Sequence, residues 1–327
     1  MKKFLIIQTA SIGDVILATP LVEKIHHSLP DATIDFLVKK GMESLFTNHP
    51  IIHEILVWDK SKKKYRNFRH LISTVRKNRY DVVINIQRFT ATGILTVLSG
   101  AETTIGFKKN PLSVFFTKRI AHNIGNDIHE VQRNLELFDD TTSSGRVHPK
   151  LYPTVADTKK IAHYRTGLYY TISPASLWFT KQFPKEKWVE FIDTIDPSKR
   201  IYFLGSAHDK NLCDEIIAAS KNPGSVNLAG ELSFLESAAL MKEAKMNFTN
   251  DSAPMHLASA VNAPVTVIYC STVAAFGFGP LSDDSFVVEI NEPLYCRPCG
   301  LHGFKVCPEK HFRCALTIRV EQLTARL

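Results

Sequence analysis

The stretch "TNDSAPMHLASA", residues 249–260, turns a short apolar run into a helix through one acid, two small residues and a proline. "MNFT", which leads into it, has the character of a buried strand, and "PMHLASAV" has helical spacing. Pro254 suits a first helical turn, where its missing N–H is not needed. Asp251 therefore stands at the carboxyl end of a strand, with His256 one turn into the helix. The backbone amides around Ser252 and Ala253 open a helix whose dipole favours an anion. A plainer reading makes Asp251 or Ser252 a helix cap and His256 packed polar filler.

Working outward, the second half repeats this strand-then-helix unit. "LYYTISP", "RIYFLGS", "VNLA", "MNFT" and "VTVIYC" read as strands. "KEKWVEFIDTI", "KNLCDEIIAAS", "FLESAALMKEA" and "PMHLASAV" read as the helices between them. The first half alternates in the same way. Its strands are "KFLIIQT", "TIDFLV", "HEILVW", "DVVINIQ" and "TTIGF". "DVILATPLVEKIHHSL" reads as one helix, with Val15, Ala18, Val22 and Ile25 on a single face. Alternation of this kind predicts an α/β fold of two doubly wound parallel sheets. "DDTTSSGRVHPKLYPTVAD", residues 139–157, is rich in Ser, Thr, Gly and Pro and reads as the linker. The expected domains are 1–155 and 156–327, with the closing helix free to pack back on the first. Open parallel sheets bind ligands at the carboxyl ends of their strands, so two such domains are expected to face a central cleft.

Composition sets the bounds. The chain has 327 residues, 44% of them hydrophobic, enough for ordinary globular cores. No run approaches the roughly 18 apolar residues of a membrane span. "MKKFLIIQTASIGD" opens like an export signal, but polar residues soon follow "FLII", so it reads as a buried strand. The expected compartment is the cytoplasm. A net charge of +8 implies a polyanionic partner: nucleic acid, anionic lipid or a phosphorylated small molecule. Residues 60–79, "KSKKKYRNFRHLISTVRKNR", hold nine Lys or Arg and no acid. That run reads either as a solvated face or as an anion-binding one.

The remaining strand-end loops supply further candidates. Asp14 opens the helix after the first strand, where it can act as a general base or complete a capping box with Ser11. Lys181 lies on the loop "SPASLWFTKQFPKEKW", where it can neutralise a phosphate. Asp209, in "FLGSAHDKN", can bond a ribose diol. No P-loop, complete dinucleotide fingerprint, nucleophile elbow or zinc-protease helix is present. Four of the six cysteines, Cys296, Cys299, Cys307 and Cys314, lie in "CRPCGLHGFKVCPEKHFRC" with His311 nearby. A structural zinc or iron, reduced surface thiols and disulfides all remain open for them.

"ASIGDVILATPLVEKI", "SLWFTKQFPKEKW", "FLGSAHD", "NDSAPMHLASAVNAPVTVIY" and the cysteine-bearing tail occur in one order and spacing. Together they resemble glycosyltransferase family 9, the ADP-heptose:lipopolysaccharide heptosyltransferases, over nearly the whole chain. The resemblance implies a GT-B fold and an inverting transfer of heptose from ADP-heptose to an inner-core sugar of lipopolysaccharide. It implies Asp14 as catalytic base and Lys181 on the donor phosphate and sugar. It further implies Asp209 at the ribose, and Asp251, Ser252, Ala253 and His256 around the diphosphate and heptose. No cofactor or metal is required for that chemistry. The acceptor is expected on the first domain, with Lys62, Lys63, Lys64, Arg66, Arg69, Gln87 and Arg88 on its side. The enzyme is then expected at the inner face of the inner membrane, with no nucleic-acid partner. "DSAPMH" departs from the family's Asp-Thr-Gly but keeps a hydroxyl and an amide, while "IIQTAS" and "NIQR" depart on the acceptor side. The rivals are transfer to a protein or other surface glycan, an epimerase of similar architecture, and a non-catalytic nucleotide-sugar or polyanion binder.

Overall fold

A computed structural model describes residues 1–61, 63–125, 127–138 and 147–327. It divides into two compact units, Met1–Tyr152 and Pro153–Leu327. The division falls inside the stretch read as a linker. The end of that stretch is not irregular: Val155–Lys160 is a helix, opened by a capping box between Thr154 and Asp157. Lys62 and residues 139–146 of the linker lie outside the described residues.

The first unit holds β1 (Lys3–Ile7), β2 (Thr33–Lys39), β3 (Ile52–Trp58), β4 (Val82–Asn85), β5 (Thr103–Phe107) and β6 (Lys118–Ile120). The second holds β7 (Tyr169–Ser173), β8 (Arg200–Phe203), β9 (Ser225–Asn227), β10 (Met246–Asn250), β11 (Val265–Tyr269) and β12 (Ser285–Glu289). All pairings are parallel, in the orders β3-β2-β1-β4-β5-β6 and β12-β11-β10-β7-β8-β9. Numbered within its own unit, each sheet has the same doubly wound order. The winding reverses between β1 and β4 in one sheet and between β7 and β10 in the other.

Two strands escape the sequence pattern. β6 and β12 are the outermost strands at one edge of their sheets, and each is reached through a short 3₁₀ turn, Ser113–Phe115 or Ala274–Phe276, instead of an α-helix. The opening helix is also broken in two, Ile12–Ile16 and Thr19–Ser28. Pro20 at the start of the second piece has no N–H to continue the first ladder. Val15, Ala18, Val22 and Ile25 are nevertheless all fully buried, so the apolar face survives the break.

Burial on both sheet faces explains why the strands read as unbroken apolar runs. In the first unit Leu5, Ile7, Leu37 and Val83 pack with Leu71 and Val75 of the helix Lys64–Asn78, and Trp58 stacks on Phe68 at 5.2 Å. In the second, Trp188 and Phe191 meet Phe203 and Phe248. Ile318, Val320 and Leu323 join that same core, Leu323 from the closing helix Glu321–Thr324. No described helix is long and apolar enough to cross a membrane.

Candidate active site

The strand-reversal points place the sequence candidates. β10 is flanked by β7, and the loops leaving their carboxyl ends carry Asp251 and Lys181 respectively. The Lys181 ammonium lies 2.6 Å from Asp251 Oδ2, and both side chains are largely buried. Thr272, just past β11, donates to the same carboxylate oxygen at 2.5 Å. Asn250 fixes the approach: its amide donates to the Pro174 carbonyl at 2.6 Å, and its Oδ1 accepts from the Phe183 amide at 3.0 Å. One strand-end residue thereby holds both ends of the loop that carries Lys181.

The helix Ala253–Ala260 starts immediately beyond. Ser252 is its N-cap, but no side chain caps it. The Ser252 hydroxyl turns to the carbonyls of Ala175 and Asn250, at 3.4 Å each. Asp251 is engaged by Lys181 and Thr272 instead. The capping explanation for this acid and this serine therefore fails: Pro254 has no N–H, and the Met255 amide donates to the Ser252 carbonyl at 3.1 Å. His256 is buried one turn along. Asp209, after β8, has one carboxylate oxygen in a capping box, accepting from the amide and hydroxyl of Ser206 at 2.7 Å each.

In the first unit, Asp14 lies in the first turn of the helix that follows β1, and Arg88 on the loop after β4. Asp14 is half-buried and also sits in a capping box: Ser11 donates to Oδ2 from its hydroxyl at 2.5 Å and from its amide at 3.1 Å. Gln87, expected on the acceptor side, lies just past β4. Its side chain is buried and donates to Gln8, while its carbonyl accepts from Asn110 at 2.8 Å. Arg88 is exposed over the ring of Phe89. Lys63, Lys64, Arg66 and Arg69 are exposed at the start of the helix Lys64–Asn78, beyond the carboxyl end of β3. Lys109, unremarked in the sequence, lies within electrostatic reach of Asp14. Burial, helped by Arg88 and Arg133, holds its pKa down to about 8 against the upward pull of Glu130 and Asp14.

Residues 68–302, well over half of the chain, match the model of glycosyltransferase family 9 (heptosyltransferase). The chain belongs to glycosyltransferase family 9. Membership makes it a glycosyltransferase of the heptosyltransferase type. It is similar to lipopolysaccharide heptosyltransferase 3 of Escherichia coli, with 28% identity over 278 residues, covering 80% of this chain and 81% of that protein. Its fold matches the structure of E. coli ADP-heptose LPS heptosyltransferase II with a TM-score of 0.79 at 20% identity, covering 100% and 98% of the two chains. It also matches an iron-containing dodecameric glycosyltransferase from enterotoxigenic E. coli, with a TM-score of 0.58 at 14% identity, covering 99% and 74%. The architecture is GT-B, with two Rossmann-like units.

In this family member the cysteine-bearing tail reaches the Lys181 loop. The Phe304 amide donates to Thr180 Oγ1 at 2.8 Å, and the Thr180 amide returns a bond to the Phe304 carbonyl at 3.1 Å. Phe312 packs on Phe179 with ring centroids 4.9 Å apart. Arg297, between the first two cysteines, donates to the carbonyls of Cys270 at 2.8 Å and Thr272 at 2.7 Å, and pairs with Glu289 at 2.5 Å. The loop holding Thr272 against Asp251 is thus pinned by the tail. Sequence reasoning missed Asn250, Thr272, Arg297 and Gly303. Asn250 adjoins Asp251, and Arg297 lies within "CRPC", so both were adjacent to recognised signals.

All six cysteines are free thiols. Burial pushes Cys314 up to about 12, and Cys299, Cys307 and Cys296 add to the rise, so the four share one neighbourhood. Cys296 Sγ lies 3.8 Å from His311 Nε2. Four thiols with an imidazole beside them suit zinc or iron chemically. They are not converged: among the described residues only Asp35, His53 and Glu54 bring three such ligand atoms within 4.8 Å of one another. Lys3, at 3.6 Å, and Tyr80, at 2.7 Å, already satisfy Asp35.

Proposed function

We propose that the protein transfers a heptose from ADP-heptose to an inner-core sugar of lipopolysaccharide, inverting the anomeric centre. The observation that carries this reading is the buried Lys181–Asp251 pair beside an uncapped helix start at the β7/β10 reversal. A cation and backbone amides there suit a diphosphate, and Lys181 offsets the repulsion that Asp251 alone would exert on it. Ser252 and Ala253 amides meet phosphate oxygens, His256 meets a phosphate or sugar oxygen, and Asp209 holds the ribose. The similarity to ADP-heptose LPS heptosyltransferase II supports the same donor.

The reaction is one displacement. An acceptor hydroxyl oxygen bonds to the anomeric carbon as the bond from that carbon to the phosphate oxygen breaks. The hydroxyl proton passes to Asp14, and ADP leaves with its charge met by Lys181 and the helix start. Those groups supply the charge stabilisation, so the transfer itself calls on no metal. The cationic run at Lys63, Lys64, Arg66 and Arg69 receives an anionic acceptor at the inner face of the inner membrane, where the protein is peripheral. The thiols of Cys296, Cys299, Cys307 and Cys314 would hold one structural zinc or iron, a reading supported by the iron-containing relative of this fold.

Incubation with ADP-heptose and a series of truncated lipopolysaccharides, read by product mass, tests the proposal. Addition of one heptosyl unit to an inner-core truncation is expected. Donor turnover without acceptor modification, or modification of protein acceptors alone, would contradict it.

A further inference from the structure

The first unit carries an apolar turn that its own core does not use. Val114 and Phe115 are adjacent and 63% and 66% exposed, on the crossover between β5 and β6. The turn is held firmly from both sides. Ser113 is buried and donates to the Lys108 carbonyl at 3.2 Å, and Phe116 is buried against Gly106. A side chain at Gly106 would meet the Phe116 ring at 2.7 Å, so the position is shaped to seat that ring. The two exposed residues are therefore presented outward by anchored neighbours.

The base of the crossover is tied to a second apolar tip. Asn110 donates to the carbonyls of Gln87 at 2.8 Å and Phe89 at 3.2 Å, and Phe89 is 52% exposed. The same two loops and the strand that follows carry the exposed cations Arg88, Lys108, Lys109 and Arg119, and residues 86–98 and 103–120 contain no acid, the exposed Glu102 lying at the far, amino end of β5. Glu130, which Lys109 does feel, is buried and occupied by His122 and Arg133. Large apolar side chains among exposed cations match a bilayer with anionic headgroups: the rings and aliphatic groups enter the interface and the cations stay with the phosphates. A second copy of this chain would bring the same positive rim against itself, which disfavours it as occupant.

We propose that Val114, Phe115 and Phe89, with their cationic rim, dock the first unit on an anionic membrane surface. This deepens the proposed function, since it brings the unit that carries Asp14 to a lipid-linked acceptor. The surface is distinct from the basic run at 63–69, which lies beyond β3 at the opposite edge of the same sheet.

The test is co-sedimentation of the full chain with vesicles of phosphatidylglycerol and phosphatidylcholine, against vesicles of phosphatidylcholine alone. Salt-sensitive binding to the anionic vesicles is expected. The double variant Val114→Ser/Phe115→Ser should bind them about tenfold more weakly. Its melting temperature, donor affinity and transfer to a delipidated soluble acceptor should stay at wild-type values. Wild-type protein that ignores anionic vesicles would overturn the proposal, as would a double variant that binds them unchanged. A wild-type dimer that the double variant abolishes would assign the turn to self-association and overturn it too. Vesicle binding without any heptosyl transfer would sustain the docking surface while removing the proposed reaction.

Discussion

Gly303 touches the Lys181 loop more closely than a side chain would permit. A Cβ there would lie 2.8 Å from Thr180 Oγ1 and 3.0 Å from Lys181 Cγ, and φ of +74° adds strain for any other residue. Gly303→Ala is expected to displace the Thr180–Lys181 turn, weakening ADP-heptose binding and slowing transfer, with roughly 1–3 kcal/mol of lost stability. Donor titration and turnover on one preparation check this, and unchanged values would show that the tail does not brace the site. Lys181→Ala should weaken donor binding and cut turnover by about 10²–10³-fold, because the charge acts on both bound and departing diphosphate. Turnover at the wild-type rate would remove Lys181 from the chemistry. The position of Lys181 on a strand-end loop was legible in the strand-then-helix pattern around it. Gly303 was not, because its constraint comes from Thr180 and Lys181, far away along the chain.

At the scale of elements, two segments carry charge or metal chemistry that local pattern could raise but not decide. The helix Lys64–Asn78 buries Leu71 and Val75, which accounts for its apolar face, and leaves Lys63, Lys64, Arg66 and Arg69 outside. Lys63→Ala/Lys64→Ala is expected to raise the acceptor KM and flatten its salt dependence. Donor affinity should not change, since exposed charges are screened within about 8–10 Å at ordinary salt. Titrating both substrates at low and high salt checks this, and equal loss for both would return the run to a solvated face. If the tail cysteines take a metal, purified protein should carry about one zinc or iron per chain, and chelation should lower the melting temperature more than the intrinsic rate. Four titratable thiols with unchanged melting would end that reading. Strand and helix alternation was legible because each buried strand is a compact apolar run. β6 and β12 were not, since both sit at sheet edges, include partly exposed residues and lack an α-helix before them.

The whole molecule repeats one plan, and the proposed chemistry uses the same place in each unit. Each sheet reverses its winding between two central strands, and the segments leaving those strands carry Asp14 and Arg88 in one unit, and Lys181 and Asp251 in the other. The sequence revealed the alternation but not the strand order, because neighbours in a parallel sheet are chosen by contacts distant along the chain. Capping boxes at Ser11–Asp14 and Ser206–Asp209 repeat across the two units, so a cap and the proposed functional acid share one position and local pattern cannot separate them. Asp14 is where that ambiguity matters most. Asp14→Asn keeps an oxygen for the Ser11 amide but cannot accept the acceptor's proton. The decisive measurement is single-turnover transfer by this variant at saturating ADP-heptose, with donor affinity measured on the same preparation. Wild-type donor binding with transfer slowed by about 10²–10⁴-fold is the expected result. Transfer at the wild-type rate would contradict the account, leaving Asp14 as a helix cap and the base elsewhere.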